Sequence, residues 1–280
     1  MASPQIYGLI GYPVKHSLSP AMHNAAFGEL GINAEYRLFP LEEEGLKGFL
    51  ENAGKSGISG LNVTIPYKEK VILFLDKISN EAGLIGAVNT VKITGRGLEG
   101  FNTDGAGFLK HLKEDLKFHP AGKKTALIGA GGAAKAISVY LSKGGAESIS
   151  IYDIDKNRSE GLVEDLKIHF DNIEFYSANS IEDLKINECA LLVNATPVGM
   201  KETDPSPVDK AYLREGLLVY DLIYNPKETK LLKEAKTAGA QISNGLGMLL
   251  YQGVDAFEIW TAREAPVEVM RKALKEATEK

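Results

Sequence analysis

This 280-residue chain has one cysteine, Cys189, which excludes any disulfide within it. The fold must rest on its own cores, and such sparing use of thiols fits a reducing cytoplasm. Cys189 stands beside the apolar run Ala190 to Val193 and reads as a small core residue. No apolar stretch approaches the ~20 residues needed to span a bilayer. The first residues lack a basic-then-apolar leader pattern. Positive charge is in deficit too, with 32 Lys and Arg against 37 Asp and Glu, a net −5. No basic face for nucleic acid is implied, and an anionic ligand would need a local cationic site. Long repeats, low-complexity tracts and blocks of like charge are absent, and no group of His, Cys and carboxylates has metal-ligand spacing. What remains is an ordinary globular composition, 44% hydrophobic, on a chain long enough for two separate cores.

The pattern along the chain predicts an α/β protein of two domains. In the first hundred residues, Gln5 to Gly11, Ala34 to Phe39 and Ile58 to Thr64 read as strands. Ser19 is placed to N-cap a helix that has Pro20 at its first position and Gly31 as terminator. Glu42 to Ala53 is helical by the spacing of Leu46, Phe49 and Leu50, and Pro66 to Asp76 is expected to form the next helix. Val88 to Ile93 and Leu98 to Asn102 suggest a hairpin across Gly95-Arg96-Gly97. A helix from Thr103 to Leu116 and the polar stretch Lys117 to Lys124 separate this half from the next. From Thr125 a regular alternation sets in. Strands are expected at 125–128, 148–152, 174–177, 190–194, 217–221 and 240–243, with helices over 132–143, 157–170 and 226–238. Strands separated by helices imply a mostly parallel, doubly wound sheet. Two more helices follow Gly247, the last with Val267, Met270 and Leu274 at helical spacing.

Three places carry chemistry. In Asn62-Val63-Thr64-Ile65-Pro66-Tyr67-Lys68, a strand ends in small polar residues and Pro66 opens the expected helix. Lys68 would then lie in its first turn, against the helix dipole, where a lysine suited to acid–base work could sit. A solvated lysine in the run Lys68, Glu69, Lys70 fits that stretch equally well. Asp104 begins the next helix, where the dipole favours its ionised form. The loop Gly129-Ala130-Gly131-Gly132-Ala133-Ala134 follows a strand and opens a helix. Gly129 permits the tight turn, Gly131 lets backbone approach a pyrophosphate, and Ala134 stands where many such loops have a third glycine. Asp153 ends the following strand 24 residues after Gly129 (153 − 129), near the ~20 expected for a carboxylate that binds a ribose. A turn-forming role within Asp153-Ile154-Asp155-Lys156 is the structural alternative.

These stretches stand in order with Ser17-Leu18-Ser19-Pro20 leading into His23-Asn24, Asn102-Thr103-Asp104-Gly105, Asn194-Ala195-Thr196-Pro197-Val198-Gly199-Met200 and Gly245-Leu246-Gly247-Met248-Leu249-Leu250-Tyr251-Gln252. As a set, from about Ile6 to Trp260, the chain resembles the shikimate/quinate dehydrogenase family. The resemblance implies a substrate domain over residues 1–104, completed by helices of 247–280, and a Rossmann-like NAD(P)-binding domain over 105–246. It implies reversible reduction of 3-dehydroshikimate to shikimate, with chemistry in the cleft between the domains. Lys68 would be the general acid/base and Asp104 its partner. Ser17 and Ser19 would hold the substrate carboxylate with help from Tyr224, while Thr64, Asn89 and Gln252 would take ring hydroxyls. Gly129, Ala130, Gly131, Gly132, Ala133, Thr196, Gly247 and Met248 would line the cofactor.

Each role has a plainer alternative: a helix cap for Ser19, a rim aromatic for Tyr224, and an exposed helical face with Asp255 and Glu258 for Gln252. His23 and Asn24 suit packing and hydrogen bonding. The family's usual cofactor is NADP, often with Asn-Arg-Thr at the ribose. This chain has Asp153 there, which suggests NAD, although Lys156 and Arg158 could approach a phosphate. A small-molecule substrate, no metal, no nucleic acid, no membrane, a cytoplasmic place and a monomer or homodimer complete the expectation. The alternatives are a quinate-using relative and a nucleotide-sensing module without turnover.

Overall fold

Five consecutive residues of β1 (Gln5–Gly11), from Tyr7 to Gly11, are buried, as a strand covered on both faces requires. In the computed structural model, which describes residues 3–279, β1 lies inside a six-stranded sheet. Its parallel neighbours are β2 (Ala34–Pro40) and β3 (Ile58–Val63). Between them run α1 (Ser19–Glu29) and α2 (Leu46–Ala53). Beyond β3 come β4 (Lys77–Ile78), α3 (Asn80–Ile85), β5 (Thr90–Thr94) and β6 (Gly97–Phe101), giving the order β2-β1-β3-β5-β6-β4. β5 runs antiparallel to both β3 and β6, and α4 (Asp104–Glu114) follows β6. Alternation along β1 divides two cores. Tyr7 and Leu9 pack with Met22 and Phe27 of α1, whereas Ile10 packs with Leu46 and Leu50 of α2.

The helix expected over Pro66 to Asp76 does not form. Residues 65–69 are turns and irregular backbone, Lys70–Phe74 is one stretch of 3₁₀ helix, and Leu75 is already extended. The sheet takes the rest: Asp76 N–H donates to Leu98 O, and Lys77 and Ile78 pair with Glu99 and Gly100. Ser19 is not the N-cap of α1 either. It is the first helical residue, and the cap position is Leu18. The expected helix from Glu42 opens as a 3₁₀ turn, Glu43–Gly45, before α2. α3 and β4 were not foreseen; α3 is capped by the Ser79 hydroxyl, which accepts Ala82 N–H.

The second sheet is entirely parallel. It contains β7 (Lys124–Ile128), β8 (Ser148–Tyr152), β9 (Glu174–Ser177), β10 (Leu191–Asn194), β11 (Leu218–Asp221) and β12 (Gln241–Ser243) in the order β12-β11-β10-β7-β8-β9. This is a doubly wound arrangement whose strand order reverses at β7, between β10 and β8. The connecting helices include α5 (Gly132–Lys143), α6 (Lys156–His169) and α7 (Lys230–Thr237), the last starting four residues later than expected because Thr229 caps it. Leu231 and Leu232 of α7 pack with Ala126, Leu192 and Val219 of the sheet.

α8 (Leu246–Thr261) and α9 (Val267–Ala277) close the chain. Met270 and Leu274 of α9 share the core of Met22, Ala26 and Phe27 on α1. Trp260 donates its indole N–H to Val91 O at 3.0 Å, and its ring fills the space where Gly60 has no Cβ. The chain therefore divides into one unit that runs to Gly107 and resumes at Leu249, and a second, Phe108–Met248. Among the described residues, no helix is long and apolar enough to cross a membrane.

Candidate active site

Lys68 and Asp104 meet in the first unit, with Nζ 2.6 Å from Oδ2. Their side chains are only 16% and 5% exposed, so solvent screens the pair weakly. The turn that carries Lys68 is held on both sides. Tyr67, buried, donates its hydroxyl to Leu41 O at 2.6 Å, and Lys68 O accepts Val88 N–H at 2.7 Å. Because no α-helix begins at Pro66, the dipole argument for Lys68 does not apply; its electrostatic partner is Asp104.

Asp104 is fixed from several directions. Its own N–H donates to Asn102 Oδ1 at 3.0 Å, and Asn89 Nδ2 lies 2.9 Å from its Oδ1. Asn89 is the hub of the site. Its Nδ2 is also 2.9 Å from Thr103 Oγ1 and 3.3 Å from Gln252 Oε1, and its Oδ1 accepts Thr103 N–H at 2.8 Å. Thr103 Oγ1 donates in turn to Gln252 O. Gln252 is 7% exposed, not on a solvated face, and Gly107 is what admits it: a Cβ there would collide with the Gln252 backbone. Behind Asn89, Asn62 donates to Asn89 O and Thr90 Oγ1 while accepting the Tyr36 hydroxyl at 2.8 Å. Asn62 and Thr103 stood in quoted motifs but were given no role from the sequence, and Thr90 and Tyr36 were not noticed. The available signal was Asn62, a buried polar residue next to the end of β3.

Thr64 directly follows β3 beside the end of β1, its N–H bonded to Ile10 O. Ser17 and Ser19 lie beyond that same end of β1. Ser17 Oγ accepts Ser19 N–H and approaches Ser19 Oγ, both at 3.2 Å. Ser17 thus meets the N–H of the first helical residue, while the cap position itself has no side-chain cap bond. Lys68, Asp104, Asn89 and Gln252 form one cluster, and Ser17 and Ser19 form a pair. His23 is fully buried and stacks on Tyr36 at 4.5 Å; burial pulls its pKa down to about 3, which makes it a neutral packing residue. Asn24 clasps the Tyr36 backbone through both amide atoms.

In the second unit, Gly129 has φ +103 and a Cβ there would press on Ala195 and Thr196 at 3.1 Å. Only glycine meets both demands. α5 begins with Gly131 as N-cap and no side-chain cap hydrogen bond. The unsatisfied N–H groups of a first helical turn, beside glycine backbone, suit a pyrophosphate. Ala130 N–H donates to Asp153 Oδ2 at 2.7 Å and Asp155 N–H to Asp153 Oδ1 at 2.9 Å. Asp153 therefore anchors the glycine-rich loop and its own turn. Arg158, in the first turn of α6, reaches over that loop, its Nη2 3.5 Å from where a Gly131 Cβ would be; Lys156 pairs with Glu160. Gly132 and Ala133 start α5.

Thr196 N–H and Oγ1 both donate to Asn194 Oδ1. Asn194 Nδ2 donates to Asp221 Oδ1, which also accepts Ile223 N–H, and Thr229 donates to Asp221 Oδ2 at 2.7 Å. Burial, opposed by these three bonds, pushes Asp221 up to about 6. Tyr224, partly exposed, belongs to this unit, three residues past β11, while the serines with which it was grouped belong to the other. Gly247 and Met248 are the second and third residues of α8. Cys189 is buried, and desolvation pushes its thiol up to about 11, so it is inert at neutral pH.

Comparison with known proteins decides the ancestry. Residues 9–91 match the model of the shikimate dehydrogenase substrate binding domain, and residues 245–275 that of the shikimate 5'-dehydrogenase C-terminal domain. The shikimate dehydrogenase (NADP(+)) of Methanopyrus kandleri is 49% identical over 286 aligned residues, which cover 98% of this chain and 96% of that protein. The chain belongs to the shikimate dehydrogenase family. Its two parallel-rich sheets are the family's architecture. A crystal structure of shikimate dehydrogenase in complex with NADP+ superposes with TM-score 0.91 at 41% identity, covering 99% of this chain and 96% of that one. The shikimate dehydrogenase of Listeria monocytogenes, solved with shikimate and NAD, gives 0.86 at 38% identity, covering 97% and 96%. Relatives within the shikimate dehydrogenase family have thus been crystallised with either dinucleotide.

Proposed function

We propose that this protein is a shikimate dehydrogenase, which interconverts 3-dehydroshikimate and shikimate with a nicotinamide dinucleotide. The observation that carries the reading is the enclosed Lys68–Asp104 pair, 2.6 Å apart and tied through Asn89 to Gln252. An ammonium has three N–H donors. One is directed at Asp104, and the others can meet a substrate oxygen. In the reducing direction Lys68 gives a proton to the carbonyl oxygen as it becomes a hydroxyl; in the oxidising direction it takes that proton back. Asp104 orients the ammonium and accepts the substrate hydroxyl. Asn89, Gln252 and Thr64 hold the other ring hydroxyls, and Ser17 and Ser19 bind the carboxylate. The dinucleotide fits the cradle at Gly129 and the uncapped start of α5; when bound, it supplies or accepts the hydride.

Cofactor choice turns on Asp153. Its carboxylate is held by two backbone N–H groups and keeps lone pairs for ribose hydroxyls, while a 2′-phosphate would meet like charge. We read this as a preference for NAD, with Arg158 serving the pyrophosphate side. We also read the enzyme as cytoplasmic, where a lone buried thiol is at home.

A steady-state assay crossing shikimate and quinate with NAD and NADP tests the whole reading. Turnover of shikimate, with quinate a poor substrate, is expected. Quinate used as well as shikimate would make the protein a quinate/shikimate enzyme, and no turnover of either would remove it from catalysis.

A further inference from the structure

Beside the start of α8 lies a buried hydrogen-bonded pair that the chemistry above does not use. Tyr220 of β11 is fully enclosed, and its hydroxyl is 2.7 Å from Nδ1 of His111 on α4. Burial pushes the phenol far above its usual range, so it keeps its proton. The same oxygen accepts the backbone N–H of Met248. One arrangement of protons satisfies both contacts. The phenol donates to His111 Nδ1, and the imidazole carries its proton on Nε2, 3.8 Å from Asp115 Oδ2. The other tautomer would deny the enclosed hydroxyl this acceptor, which a buried donor tolerates poorly.

Met248 is the third residue of α8, where helical N–H groups have no carbonyl partner of their own. Such a group is commonly met by a side chain just before the helix. Here a phenol from β11, 28 residues earlier (248 − 220), does it. Gly247 completes the fit, because a Cβ there would fall inside the His111 ring. Phe108 packs edge-on against Tyr220 with ring centres 4.9 Å apart. The imidazole, the phenol and the missing Cβ together fix the backbone path through Gly247 and Met248.

We propose that His111 and Tyr220 are positioning residues, which hold Gly247 and Met248 in place to seat the nicotinamide end of the dinucleotide. This rests on the functional reading above and on the family resemblance, which puts Gly247 and Met248 near the nicotinamide of the cofactor. Neither side chain touches the reacting atoms; both act through the backbone they fix.

The test separates the nicotinamide end from the rest of the cofactor. Tyr220→Phe keeps the ring and removes the hydroxyl. His111→Leu removes the acceptor, and His111→Asn restores one near the position of Nδ1. Each variant is assayed for shikimate oxidation and for affinity towards NADH against ADP-ribose, and NADPH against 2′-phospho-ADP-ribose. Tyr220→Phe is expected to lower kcat about ten- to a hundredfold, the scale of one buried donor left unpaired. It should weaken the whole dinucleotide while changing the nicotinamide-free fragment by less than about twofold. His111→Leu should behave alike, and His111→Asn should recover part of the loss. Unchanged kcat and affinity overturn the inference, as does equal weakening of dinucleotide and fragment, which marks a general structural defect. Should Tyr220→Phe fail to fold, the His111 variants decide: Asn no better than Leu refutes it. If the unmutated protein turns over no substrate, the functional reading fails, and the affinities alone then decide this inference.

Discussion

Replacing Asp221 by Asn should stabilise the protein at neutral pH, and by an amount that grows with pH. Asp221 is fully buried, and its carboxylate accepts from Asn194, Ile223 and Thr229 at 2.7–3.1 Å. Even so, burial outweighs these bonds and lifts its pKa from 3.8 to about 6. A carboxylate whose pKa is raised on folding contributes stability below its unfolded value, and that contribution is lost as pH rises through the folded value. The difference of about two pH units, at 1.36 kcal/mol each, comes to about 3 kcal/mol between pH 3.8 and pH 7.

Asparagine resembles the protonated acid. Its oxygen can accept from Asn194 and Ile223, and its amide can donate to Thr229 Oγ1. Urea unfolding of both proteins at pH 5 and pH 7.5 isolates the effect, since every other group titrates alike in the two. About half of the gap already exists at pH 5, so the variant's advantage should widen by about 1.4 kcal/mol at pH 7.5. A gap that stays flat or narrows would refute the reasoning and mean that Asp221 is ionised at little cost within its three hydrogen bonds.

Lys68→Ala should lower kcat by ~10²–10⁴-fold, the usual worth of a general acid–base group, while shikimate still binds; near-normal kcat would end the proposed role. If Ser17 holds the carboxylate as proposed, Ser17→Ala should raise KM for shikimate by the equivalent of about 0.5–1.5 kcal/mol, or up to ~3 if the bond is charge-assisted. A fall in kcat at constant KM would instead put Ser17 at the reacting end. Asp153→Asn should move the ratio of kcat/KM values towards NADP by about fivefold, because unit charges ~4 Å apart repel by about 1 kcal/mol in water. If the unmutated enzyme already favours NADP by about tenfold or more, Asp153 does not read the ribose as proposed, and Arg158 and Lys156 outweigh it.

Much of the fold was legible because local pattern and tertiary demand agreed. The strands Ser148–Tyr152 and Glu174–Ser177 and the helix Gly132–Lys143 fall where hydrophobic runs and glycines place them. A buried parallel strand must be apolar throughout, and a Rossmann turn must have glycine where φ is positive. Legibility failed where two structures competed for one segment. Pro66 to Asp76 has helical spacing, but its last residues are captured by hydrogen bonds to β6, a strand some twenty residues later that no local signal reveals. The same distance effect hid the surroundings of the reactive pair. From the sequence Lys68 and Asp104 could be named as chemically able residues, each at the end of a strand. That their charged atoms stand 2.6 Å apart was decided by strand order alone, which sets β5 between β3 and β6 and so brings Asn89 beside Asp104. Residue types and their spacing determined which groups could do this chemistry. Which of them touch was settled by tertiary packing, because a hydrogen bond reports distance in space and the sequence records only order along the chain.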